Sequence, residues 1–99
     1  MTILDQIALK IIEEQELIIG PLAWQEAGKV SGIHIVDART NSVTVENGDS
    51  RLVIDKLISQ YERLFGRASR EVSREAAAPF LVNLNPTEIP LSLKWIYGG

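Results

Sequence analysis

The chain is predicted to fold as one small α+β domain in two layers: an N-terminal amphipathic helix, a short β-hairpin, a long helix and a C-terminal extended segment. Three observations predict this. Apolar residues recur at spacings of three and four over residues 3–19 and again over residues 52–80. Two β-branched runs flank a turn-forming loop between them. The composition, 45% apolar and 23% charged over 99 residues, is that of one ordinary globular domain.

The first helix carries Ile3, Leu4, Ile7, Ala8, Ile11, Ile12, Ile18 and Ile19 toward the core. Asp5, Gln6, Lys10, Glu13, Glu14 and Glu16 lie mostly on its other face. Thr2 suits the N-cap, and Asp5 places negative charge in the first turn, where the helix dipole favours it. Gly20-Pro21 interrupts the pattern. A second short helix over 21–29, with Leu22, Trp24 and Ala27 for packing, and a kinked continuation of the first both fit. Residues 2–29 are thus helical.

Ser31-Gly32 reads as a break, and residues 32–47 as the hairpin. Its strands are Ile33 to Asp37 and Val43 to Glu46, joined by Ala38 to Ser42. A lone hairpin is marginal in water. It needs helix cover, a C-terminal strand, or edge-to-edge pairing with the hairpin of a second subunit. Asp49 or Ser50 should cap the next helix, and residues 50–84 read as helical. The spacing runs near 3.6 straight through Gly66, so one helix or two collinear ones hinged there are equally consistent. Pro79 should kink or end it. Residues 85–99 form a loop and an extended arm, in which Leu91 to Tyr97 alternates loosely like a last strand.

Composition narrows function by exclusion. The net charge of −3 argues against a nucleic-acid partner, which needs clustered positive charge. With no cysteine, disulfides, thiolate metal sites and cysteine nucleophiles are removed together, and a cytoplasmic setting is expected. No apolar run approaches the roughly 20 residues of a membrane span. The N-terminus, with Asp5 and no early Lys or Arg, does not read as a signal peptide.

Four arginines, Arg63, Arg67, Arg70 and Arg74, are spaced four, three and four, which on a continuous helix makes one ridge. Such a ridge docks carboxylates or phosphates bidentately, or is a solvated face laced to Glu71 and Glu75. Glu13, Glu14 and Glu16 are its complement, in the same or a second subunit. His34, the only histidine, sits on the strand face opposite Ile33 and Ile35, and Asp37 falls on the face away from it. No Glu-x-x-His pattern marks a di-metal site, and no nucleotide or hydrolase motif occurs, so no metal, cofactor or catalytic residue is assigned. Ser69 and Ser73 have no base at helical spacing; Ser69, between arginines, suits phosphorylation or helix solvation. Trp95 and Tyr97 are candidate interface residues, because a domain this small has little interior left for them.

The tail Leu91-Ser92-Leu93-Lys94-Trp95-Ile96-Tyr97-Gly98-Gly99 resembles the C-terminus of ubiquitin-like sulfur carriers and modifiers. That resemblance implies activation of the terminal glycine as an acyl-adenylate. It covers nine residues, and those domains open with a β-hairpin where this chain opens with a helix.

Three functions therefore stand as expectations. The leading one is a non-catalytic interaction module: a homodimeric adaptor, regulator or small subunit that binds protein through its amphipathic helices and the arginine ridge. The second is a carrier or small enzyme using Gly98-Gly99 or His34. The third is an anion or nucleic-acid binder using the arginines.

Overall fold

The structure, a computed structural model, describes residues 2–37, 42–46 and 48–94. Helices α1 (Ile3–Ile19) and α2 (Leu22–Gly28) lead into strands β1 (Ile33–Asp37) and β2 (Ser42–Val45). Helices α3 (Ser50–Phe65) and α4 (Arg67–Ala77) follow, and then three 3-10 turns at Ala78–Asn83, Pro86–Glu88 and Leu91–Leu93. The α+β fold class read from the sequence is the observed one.

α1 begins with a reciprocal capping box. The Asp5 N–H donates to Thr2 Oγ1 at 3.0 Å, and the Thr2 N–H donates to Asp5 Oδ2 at 2.9 Å. Gly20, at φ +72°, ends the helix and donates its N–H to the Glu16 carbonyl. The second helix is separate from the first and packs against it. It starts at Leu22, with Pro21 at its N-cap.

The hairpin pairs Ile33 with Val45, His34 with Thr44 and Ile35 with Val43, and an irregularity at Val36 shifts the register before Asp37 meets Ser42. Ile33, Val43 and Val45 are buried, whereas His34, Val36 and Thr44 are exposed, so one face is packed and one wet. The outer edge of β2 meets α1 at one point. The Val45 N–H donates to Asp5 Oδ1 at 2.7 Å, in a buried contact. That contact takes up one outward backbone donor of β2, at the residue nearest the N-terminus of α1.

Asp49 holds the N-cap of α3, but its side chain makes no capping bond, and Ser50 Oγ instead donates back to the Glu46 carbonyl. The collinear reading of the long helix is also corrected. Gly66 adopts φ +86° and ψ −172°, a conformation open in practice to glycine, and α4 leaves at an angle and packs on both α1 and α3. Periodicity cannot reveal such a turn, because a residue that breaks the helix can keep the apolar spacing in step on either side. Helix α4 ends at Ala77, and Pro79 enters a 3-10 turn in place of a further helical turn.

The core lies where α1, α3 and the inner face of the hairpin meet, with Ile7, Ile11, Ile12, Ile54, Leu57 and Tyr61 almost wholly enclosed. Leu91–Leu93 forms a turn where a strand was expected, and Leu93 is fully buried. That segment is clamped by side chains of α3 and α4. Asp55 accepts from the N–H groups of Leu91 (3.1 Å) and Ser92 (2.9 Å) and from the Ser92 hydroxyl, and Arg51 donates to the Thr87 carbonyl at 2.6 Å. Arg74 Nε donates to the Ser92 carbonyl at 3.1 Å.

Candidate interaction surfaces

The four arginines do not form one ridge. Arg63 belongs to α3 and the other three to α4, beyond the turn at Gly66. Arg74 is only 8% exposed; besides holding Ser92 it pairs with Glu71 at 3.1 Å. Arg70 reaches back across the turn to Glu62 at 3.4 Å, and its Nε is buried with no hydrogen-bond partner. Arg67 and Arg63 are exposed. Half of the expected ridge thus holds α4 to its neighbours. Trp95, Tyr97 and Gly98-Gly99 lie outside the described residues.

Ser69 and Ser73 are buried where α4 meets α1, not solvated. Gln15, fully enclosed, donates to the Ser69 carbonyl (2.8 Å) and to Ser73 Oγ (3.0 Å), and it accepts from Ser69 Oγ at 2.7 Å. Every polar atom of the Gln15 amide group that faces α4 is satisfied, and the contact fixes the register of the two helices. His34 is exposed, 3.8 Å from Glu46 Oε2 on the neighbouring strand end. Its nearest carboxylate comes from across the hairpin, which along-strand reasoning from Asp37 could not see. Glu14 pairs with Lys10 within α1 at 3.6 Å, not with an arginine of α4.

Two grooves among the described residues combine exposed apolar side chains with charge. The first lies where the C-terminal half of α1 meets α4. Leu17 is 80% exposed and Ile18 62% exposed, although the spacing assigned Ile18 to the core face. They border a groove of about 390 Å³ with Val72 and Pro79, rimmed by Lys10, Glu14 and Glu75. Ile18 stays outside the core because, among the described residues, nothing covers it at the end of α1, where Gly20 ends the helix. The apolar pattern gives no sign of this, which depends on how the helices pack.

The second surface runs along α3. A groove of about 520 Å³ lies between its outer face and the segment after α2, lined by Lys29, Val30, Leu52, Lys56, Ser59 and Arg63, among others. Behind it stands a polar chain. Lys29 Nζ donates to Glu26 Oε2 at 2.9 Å, Gln60 Nε2 donates to Glu26 Oε1 at 2.7 Å, and Arg63 donates to Gln60 Oε1 at 2.7 Å. The hydrogen bonds from Lys29 and then Gln60 hold the Glu26 carboxyl below the usual carboxylate range, against the opposing effect of burial. Beneath it, Tyr61 donates to the Ala23 carbonyl at 2.6 Å, and burial pushes its phenol pKa far above the ordinary value.

Among the described residues no three His, Asp or Glu side chains converge as metal ligands, and no helix is long and apolar enough to cross a membrane. Compared with protein families, curated proteins and solved structures, the chain matches none of them.

Proposed function

We propose that this chain is a non-catalytic protein-interaction module that pairs with a second copy of itself through the apolar face formed by α1 and α4. The observation that carries this reading is the pair Leu17 and Ile18, two large aliphatic side chains left in water beside an apolar groove. Exposing them is unfavourable for a domain of this size, and contiguous apolar surface with a polar rim marks interaction sites. The rim supports a second copy as the occupant. It carries both signs, Lys10 against Glu14 and Glu75, so an antiparallel twofold pairing sets each cation against its partner's acids. The arginines enter this reading differently from the sequence expectation: Arg70 and Arg74 support α4 from within the chain, and Arg63 and Arg67 stay at the surface. The cysteine-free composition supports a cytoplasmic setting for such a module.

Sedimentation velocity tests the proposal. The chain is expected to sediment as a dimer at micromolar concentration, and the double variant Leu17→Asp, Ile18→Asp as a monomer with unchanged far-ultraviolet circular dichroism. A wild-type chain that stays strictly monomeric across the micromolar range overturns it.

A further inference from the structure

We propose that the groove along α3 is a second docking site, one that takes an acidic peptide segment carrying an apolar anchor. Leu52, Lys56, Ser59 and Arg63 follow one another at spacings of four, three and four, so they form a stripe on a single helix face. At the rise of an α-helix this stripe is about 16 Å long, the reach of a short peptide and well beyond that of a single small anion. Lys29 stands on the opposite wall, paired with Glu26.

The charge balance favours an anionic occupant. Two carboxylates lie at or near the groove, and both are already engaged. Glu26 is held by Lys29 and Gln60, and Asp55 by two backbone N–H groups and the Ser92 hydroxyl. Lys56 and Arg63 have no carboxylate within ion-pair distance among the described residues, and Arg63 donates only to the neutral amide oxygen of Gln60. Neither cation is therefore locked in an ion pair within the described part of the chain, and Lys29, Lys56 and Arg63 outnumber the two carboxylates Glu26 and Asp55 around the groove. Arg63 is also held in place by that hydrogen bond, so less side-chain freedom is lost when it binds.

An apolar contact sits beside the cations. Leu52 is 46% exposed at one end of the stripe, next to Val30 in the wall. A segment with carboxylates flanking one aliphatic side chain meets both features at once. Among the described residues the groove has neither an aromatic residue to stack a base nor a continuous basic surface to follow a phosphate backbone, which disfavours nucleic acid. This site is on a different face from the Leu17–Ile18 surface, and it stands or falls independently of self-association.

The test is amide chemical-shift mapping on the isotope-labelled full chain, titrated with a blocked Glu-Glu-Leu-Glu-Glu peptide at low salt. Shifts are expected at residues 29–31 and 52–63, fading as salt rises. They should weaken with a Glu-Glu-Ser-Glu-Glu peptide and vanish in the variant Lys56→Glu, Arg63→Glu. The spectrum of the free variant shows that it is folded, and a single Lys56→Ala change serves if it is not. Shifts that persist in the folded variant, that are indifferent to the leucine, or that an oligothymidylate reproduces equally overturn the proposal. Sedimentation of the same samples reports self-association separately.

Discussion

Replacing Asp5 by alanine perturbs two parts of the fold through one carboxylate. In the native chain Asp5 Oδ2 accepts the Thr2 N–H at the head of α1, and Oδ1 accepts the Val45 N–H at the edge of β2. Losing a capping interaction costs about 1 kcal/mol. Leaving the buried Val45 N–H without a partner costs about 1–3 kcal/mol more. The sum, about 2–4 kcal/mol, is a large share of the roughly 5–15 kcal/mol that stabilises a typical domain. Thr2→Ala is the internal control, because it removes the cap and leaves the Val45 contact, and it should cost only about 1 kcal/mol. Urea unfolding followed by circular dichroism measures both, with the slope expected to stay unchanged, since the surface exposed on unfolding is the same. At about 4–8 °C per kcal/mol, Asp5→Ala should lower Tm by at least about 8 °C. Equal destabilisation by the two variants would refute the reasoning, since it would mean that the Val45 contact contributes nothing.

Further outcomes are expected. Gln15→Leu keeps the volume but leaves the Ser69 carbonyl and both serine hydroxyls without their α1 partner; it should cost about 2–4 kcal/mol in the same unfolding assay. Gly66→Ala meets open space and suffers only from its backbone conformation, for about 1–3 kcal/mol, whereas a Cβ at Gly32 (φ +95°) would also stand 2.5 Å from Val53 Cγ2. Gly32→Ala should therefore cost at least about 1 kcal/mol more, and thermal melts of the two variants compare them directly. Tyr61 is held protonated in the folded state, chiefly by burial, while in the unfolded chain it ionises near its ordinary value of about 10. Its contribution is fully present below that pH and is lost as pH rises above it; Tyr61→Phe should flatten this alkaline decline in a pH series of urea midpoints.

Much of the fold was legible in the residues themselves. The spacing of Ile3, Ile7 and Ile11, the Thr2–Asp5 cap and the β-branched runs around residues 38–41 are local signals, and local signals determine helix and strand. The candidate surfaces were less legible. Arg63 to Arg74 looks like one ridge only while Gly66 is treated as helical. Ile18 looks like a core residue only while some element is taken to cover the end of α1. Both depend on where separate helices pass one another, which is set by packing and not by periodicity.

By itself the sequence determined the α+β class, the extent of α1, the two strands of the hairpin, and Pro79 as a point where the helix is disturbed. Each is a matter of backbone propensity or of a period counted along one element. Only the tertiary structure decided that α4 turns at Gly66, that Ser69 and Ser73 close on Gln15, and that Asp5 takes the Val45 N–H. It also decided that Leu17 and Ile18, and the cations Lys56 and Arg63, remain facing solvent. These follow from which long-range partners compete for each side chain, and no window of neighbouring residues contains that information.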